Sequence, residues 1–187
     1  METVKTEMYK GYDIKIYPDT NGESPREWEN LCEFHIAHRR YSFGDKNYTS
    51  KEEIDAVEQE AIANGDTVLP LYMYDHSGIS ISLLPFSCPF DSGQVGIVII
   101  RRAIIINEHN DMENNEQAIK QLAINMAQSE VHILDMYLRG EVYYYSVSQE
   151  GEEDIIDNCS GYYGLDDAMS QAKESVDYIV KQPNYVI

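Results

Sequence analysis

Residues 70–96, PLYMYDHSGISISLLPFSCPFDSGQVG, constrain the fold of this chain more than any other stretch. Two apolar, strand-like runs flank two short polar clusters, Asp75-His76-Ser77-Gly78 and Cys88-Pro89-Phe90-Asp91-Ser92-Gly93. Apolar runs bounded by Gly, Pro, Asp and Ser are the pattern of strands joined by tight turns. One hairpin-like segment therefore gathers a thiol, an imidazole, two carboxylates and several hydroxyls. It is either a site or an elaborate set of turns.

Around this segment the pattern alternates between strands and helices. Tyr12–Tyr17 reads as a strand, followed by a polar loop from Pro18 to Pro25 with Asn21-Gly22 as its turn signal. Leu31–Ala37 reads as a second strand. Ser50 and Glu53 have the spacing of a capping box, and Ile54, Val57, Ala61 and Ile62 give the helix behind them one apolar stripe ending before Gly65. Strands are expected at Val68–Tyr74, Gly78–Leu83 and Val95–Ile100. Ala103–Ile106 either prolongs the last of these or begins irregular structure. Asn107–Asn115 is polar and leads into a long helix over 116–138, with Ile119, Leu122, Ala123, Met126, Glu130, Ile133, Leu134 and Tyr137 inward. Gly140 ends it. A hairpin follows (Val142–Ser148, a Glu150-Gly151 turn, Asp154–Cys159). A last helix runs from Asp167, capped by Asp166, to Lys181, with Ala168, Met169, Ala172, Val176, Ile179 and Val180 inward. The expected fold class is α+β, a mainly antiparallel sheet with about three helices packed on it. With no repeat and no linker, 1–187 is expected to be a single domain.

Composition narrows the function. The 187 residues carry 33 acidic and 14 basic side chains, a net charge of −19. Such a chain repels nucleic acid and anionic membrane and attracts basic protein surfaces. Acidity alone also serves solubility. Fifteen tyrosines against four phenylalanines suit half-buried sheets and recognition surfaces. The opening METVKTEMYKGYDIKIY lacks the apolar core of a secretion signal, and no apolar run approaches the length of a membrane span. Cys32, Cys88 and Cys159 are odd in number and far apart, as in a reduced, cytoplasmic protein.

Several groupings bear on chemistry. Cys32, His35 and His38 have the spacing C-x2-H-x2-H, but in a strand 32 and 38 share a face that 35 does not, which argues against one metal site. Cys88 with His76 and Asp75 or Asp91 contains the parts of a thiol–imidazole–carboxylate catalyst. The competing reading is a thiol in a tight loop whose Asp91 and Ser92 bond nearby backbone, with Asp75 closing an Asx-turn and Gly78 supplying positive φ. Ser24-Pro25-Arg26-Glu27 reads as a capped helical turn with Pro25 first. Arg39-Arg40 and Arg101-Arg102 are the two basic pairs available to neutralise carboxylates. No Walker loop, GxGxxG or HExxH occurs, and no cofactor is expected. From Glu141 to the C-terminus ten carboxylates face only Lys173 and Lys181. Glu150, Glu152, Glu153, Asp154 and Asp157 belong to this group. A hairpin presenting carboxylates at the density of duplex phosphates, about one charge per 1.7 Å, is able to occupy a nucleic-acid channel.

Taken together, Ser24-Pro25-Arg26-Glu27, His38-Arg39-Arg40-Tyr41, Gly44-Asp45, Leu69-Pro70-Leu71-Tyr72 with Tyr74 to Gly78, Pro85 to Gly96, Leu138 with Gly140-Glu141-Val142-Tyr143, and Asp157 to Gly164 resemble a family of small proteins carried by phages, prophages, plasmids and conjugative elements. The resemblance covers most of residues 12–169. This chain departs from it by lacking a glycine in the turn after Arg26-Glu27, and by Phe90 and Ser160 where tryptophan is common. It implies a mobile-element setting and supplies no catalytic residues.

Three functions are compatible with these features. The first is a cytoplasmic, acidic protein that binds and inhibits a host defence nuclease of the CRISPR-effector or restriction type. It would dock on a basic groove through Glu150, Glu152, Glu153, Asp154, Asp157, Asp75, His76 and Asp91, with no direct nucleic-acid or membrane contact. The second is a hydrolase or modifier using Cys88, His76 and Asp91. The third is an accessory protein of element maintenance.

Overall fold

The run Val95–Ile100 is apolar without alternation, the signature of a strand covered on both faces. It lies at the centre of a five-stranded sheet. The computed structural model of the chain describes residues 2–108 and 115–181. The chain divides into two units, Met1–Glu23 with Arg139–Ile187, and Ser24–Leu138. The second unit is thus inserted into the sequence of the first.

The Ser24–Leu138 unit contains β3 (Cys32–Ala37), β4 (Lys46–Tyr48), β5 (Thr67–Asp75), β6 (Ile79–Ser82) and β7 (Ser92–Ile100), in the spatial order β4-β3-β7-β5-β6. All pairs are antiparallel except β3 with β4. Successive β7 side chains serve opposite layers. Val98 and Ile100 join Phe34, Ile36, Leu71 and Met73 under helix α3 (Glu116–Leu138), whereas Ile97 and Ile99 meet Ile54 and Ala61 of helix α1 (Lys51–Ala63). Each such fully buried side chain contributes about 1.5–3 kcal/mol. Gly96 is required in β7, because a Cβ there would stand 2.1 Å from the carbonyl oxygen of His35. Pro70 is tolerated in β5 because β6 pairs only from Tyr72 onward, leaving that side of β5 without a ladder to break.

The other unit has a second antiparallel sheet in the order β1 (Lys5–Tyr9), β2 (Tyr12–Pro18), β8 (Val142–Gln149), β9 (Ile155–Tyr163). Ile14, Ile16, Tyr145 and Val147 pack against Ala168, Met169, Ala172, Val176 and Ile179 of helix α4 (Leu165–Lys181). The class is α+β, with two mostly antiparallel sheets and, among the described residues, four helices where about three were expected.

The extra helix is α2 (Arg102–Glu108), where the sequence suggested strand or irregular structure. Its isoleucines favour strands locally. However, Asp66 Oδ1 accepts the Arg102 N–H at 2.9 Å, and Ile105 is drawn into the main core. Residues 109–114 of the polar stretch that follows lie outside the described residues. Helix α1 opens with the expected capping box, but Ile62 is exposed. Helix α3 keeps its expected bounds, although Ala127, Val131 and Met136 are buried in addition to the expected stripe. Helix α4 begins at Leu165, so Asp166 lies in its first turn instead of capping it, and Val180 is exposed. Strands β1 and β4 were not anticipated, and β9 runs on to Tyr163. β7 begins at Ser92, taking in the end of the second polar cluster.

Candidate functional site

Buried charge explains the first of the sequence motifs. Ser24 Oγ accepts the Arg26 N–H at 3.3 Å and caps the short helical turn at Pro25–Glu27. This holds Arg26 in the interior, its side chain only 8% exposed. The guanidinium forks onto Asp45 (3.1 and 2.8 Å) and bonds Glu130 (2.8 Å) and the Cys32 carbonyl (2.7 Å). It also stands 4.1 Å from the centre of the Phe34 ring. Burial alone would lower its pKa, and the bonds to Asp45 and Glu130 more than reverse that. The two carboxylates in turn accept backbone N–H groups, Asp45 from Phe34, and Glu130 from Leu31 and Cys32. Gly44 lets the turn carrying Asp45 close on β3, since a Cβ would meet Ile36 and the Phe34 carbonyl within 2.7 Å. The SPRE and Gly-Asp motifs thus staple loop, β3 and α3 together.

The C-x2-H-x2-H residues diverge. Cys32 lies in the α3-side core, where burial first and Glu130 second raise its thiol pKa. His35 is buried on the opposite face, bonded to Tyr48 Oη (2.8 Å) and Glu33 (3.2 Å). His38 lies past the strand end, its Nδ1 facing the backbone N–H groups of Arg40 and Tyr41. Among the described residues no group of three acidic, His or Cys side chains is arranged to hold a metal ion.

Three motif segments meet at one end of the five-stranded sheet. Asp75, closing β5, bonds Arg40 and receives the Tyr41 hydroxyl at 3.2 Å, so it is not free to form the expected Asx-turn. Its backbone N–H reaches the Asp91 carbonyl at 2.8 Å. Both residues of the turn have positive φ, Ser77 at 61° and, as expected, Gly78 at 159°. Asp91 Oδ2 lies 3.3 Å from His76 Nδ1 and accepts the Cys88 thiol at 3.7 Å. Ser92 Oγ bonds the Cys88 carbonyl at 2.5 Å, and Tyr74 stacks on both His76 and Phe86.

The expected trio of Cys88, His76 and Asp91 therefore does assemble, but in an order unlike a thiol catalyst. Such a catalyst places the imidazole on the sulfur and the carboxylate behind it. Here the carboxylate oxygen is the atom that thiol and imidazole share. A cleft of about 180 Å3 beside His38, Arg39, Ser50 and Lys51 is smaller than the roughly 300–1,000 Å3 of typical small-molecule sites.

The acidic hairpin tip lies in the other unit. Glu150, Glu152, Glu153 and Asp154 are all exposed, and none has a cationic partner among the described residues. The turn is pinned: the Glu150 N–H bonds the Gly11 carbonyl (3.1 Å), Glu152 N–H bonds Gln149 (2.9 Å), and Gly151 N–H reaches Asp13 (3.3 Å). Lys10, beside Gly11, is engaged by Asp177 at 2.7 Å. Asp157, expected among the contact carboxylates, is half-buried and takes the hydroxyls of Tyr145 (2.9 Å) and Ser175. Its role is internal, anchoring β9 to α4.

Two features escaped the sequence. Phe90 is 93% exposed and Leu84 73%. Their signal was present, since both are apolar residues in a loop of Pro, Ser and Asp. Arg40 and Tyr41 belong to the cluster only through the sheet that brings them to Asp75. No helix among the described residues is long and apolar enough to cross a membrane. No protein-family model matches the chain, and no curated protein and no solved structure matches it either.

Proposed function

We propose that this protein is an acidic inhibitor of a host defence nuclease, acting in the cytoplasm by occupying the enzyme's nucleic-acid-binding groove. The observation that carries this reading is the hairpin tip: four exposed carboxylates without cationic partners among the described residues, on a turn whose backbone N–H groups make three hydrogen bonds, in a chain of net charge −19. Fixed carboxylates meet a Lys/Arg-lined groove without first having to be ordered. The similarity of its motifs to mobile-element proteins supplies a setting in which a host nuclease is the adversary. An enzymatic role for Cys88 and His76 is less well supported, because Asp91 stands where a base on sulfur is needed.

The test is a panel of purified CRISPR effector complexes and restriction endonucleases, assayed for cleavage of duplex DNA with and without the protein over a range of salt. Inhibition of at least one member is expected, weakening as salt rises. A gel shift with the protein alone should show no duplex binding at physiological salt. Full cleavage by every member in the presence of micromolar protein would refute the reading.

A further inference from the structure

We propose that the loop from Leu83 to Asp91 is the principal docking surface of this protein, with Phe90 as its anchor, and that it fits an apolar socket rimmed by lysine and arginine. This rests on the nuclease reading and adds the place where binding gains its affinity. Phe90 and Leu84 stand 93% and 73% exposed on one loop, where most phenylalanines would be buried. The loop is already ordered. Pro85 and Pro89 fix two backbone angles, Ser92 Oγ holds the Cys88 carbonyl, and the Leu84 N–H bonds Ser82 Oγ at 2.9 Å. Phe86 is stacked on Tyr74 at 5.7 Å, and the far end is tied to β5 through the Asp75–Asp91 backbone bond. An exposed aromatic on a preordered support is the construction of a binding hot spot.

Charge selects the partner. Beside the loop, Arg40 is paired with Asp75, and Asp91 Oδ2 lies 3.3 Å from His76 Nδ1. The chain as a whole, at −19, draws a basic surface in. The open ring face adds a cation–π site for its arginines or lysines. A second copy of this chain, also at −19, lacks the basic rim that this surface would meet in its partner.

The experiment measures binding of wild type, Phe90→Ala and Glu150→Ser/Glu152→Gln/Glu153→Gln/Asp154→Asn to each nuclease of the panel at two salt concentrations. In parallel, a photoreactive benzoylphenylalanine replaces Phe90 in cells carrying the same nucleases. Phe90→Ala is expected to keep the melting temperature of the wild type. It should weaken binding about 30-fold (about 2 kcal/mol at 1.4 kcal/mol per tenfold), through faster dissociation, with salt dependence retained. The crosslinker should join the same nuclease at a Lys/Arg-rich apolar site. Binding by Phe90→Ala within about threefold of wild type would overturn the docking surface while leaving inhibition through the acidic turn intact. A position-90 adduct with a basic protein of another kind, and no nuclease bound, would overturn the nuclease reading and leave the docking surface standing. Neither binding nor adduct would overturn both.

Discussion

Replacing Arg26 by Met tests whether the first motif is structural. The change keeps an unbranched chain of similar length beside Phe34 and deletes the cation. It removes four hydrogen bonds and leaves Asp45 and Glu130, with side chains 26% and 16% exposed, facing each other without their counter-ion. Taking one partner from a buried pair costs about 3–5 kcal/mol. The residual exposure of both carboxylates lets water recover part of that, which places the loss near 3 kcal/mol. At about 2–4 °C per kcal/mol for a chain of this size, the melting temperature should fall by about 6–12 °C. Arg26→Lys keeps the charge but cannot fork onto Asp45 while reaching Glu130, so it should lose about half as much. Urea unfolding followed by far-UV circular dichroism reads both. A loss below about 1 kcal/mol for Arg26→Met would refute the staple.

Three further outcomes follow from the same geometry. The Glu33 carboxyl is held below its usual range, chiefly by Arg101 at 2.7 Å, so its contribution is complete above about pH 4.5 and disappears as pH falls through the depressed folded value; Glu33→Gln should flatten the acid limb of the stability curve, and an unchanged limb would refute this. Thiol labelling of the native protein should modify Cys159 first, Cys88 no faster than a free cysteine, and Cys32 last; a Cys88 rate above that of a free thiol would restore the enzymatic reading. The four-residue substitution at the hairpin tip should reduce inhibition and its salt dependence together while leaving the melting temperature within about 2 °C, because the four side chains are exposed and have no ion pair to lose among the described residues. Unchanged salt dependence would move the electrostatic contact elsewhere.

What the sequence displays best is what local chemistry decides. The capping box at Ser50 and Glu53, the 23-residue periodicity of α3 and the unbroken apolar run of β7 each satisfy one rule within one segment. The misreadings occur where a distant residue decides. Asp66 and the core turn an isoleucine-rich stretch into α2. β1 alternates charged and apolar residues too weakly to stand out and exists because β2 offers an edge. The meeting of Cys88, His76 and Asp91 was legible because all three flank a single set of hairpins. Their order was not, since it depends on a bulge-interrupted register between β5 and β7. Nothing local links Arg26 to Glu130, 104 positions away.

The insertion of one unit within the other sets an order of events during synthesis. β2 leaves the ribosome with Ile14 and Ile16 ready to be covered, but its neighbour β8 pairs Tyr12 with Gln149 and Pro18 with Tyr143. At about 5–20 residues per second that partner arrives roughly 10 s later. In the interval the inserted segment has all its own strands and helices and can complete its sheet. Until β8 arrives, the β1–β2 hairpin has both its edges and one apolar face open, and carries Lys5, Glu7, Lys10, Asp13 and Lys15, charges of the kind that discourage edge-to-edge pairing. Three of those charges are taken up once the sheet is complete, Glu7 by Lys173, Lys10 by Asp177 and Asp13 by the Gly151 N–H.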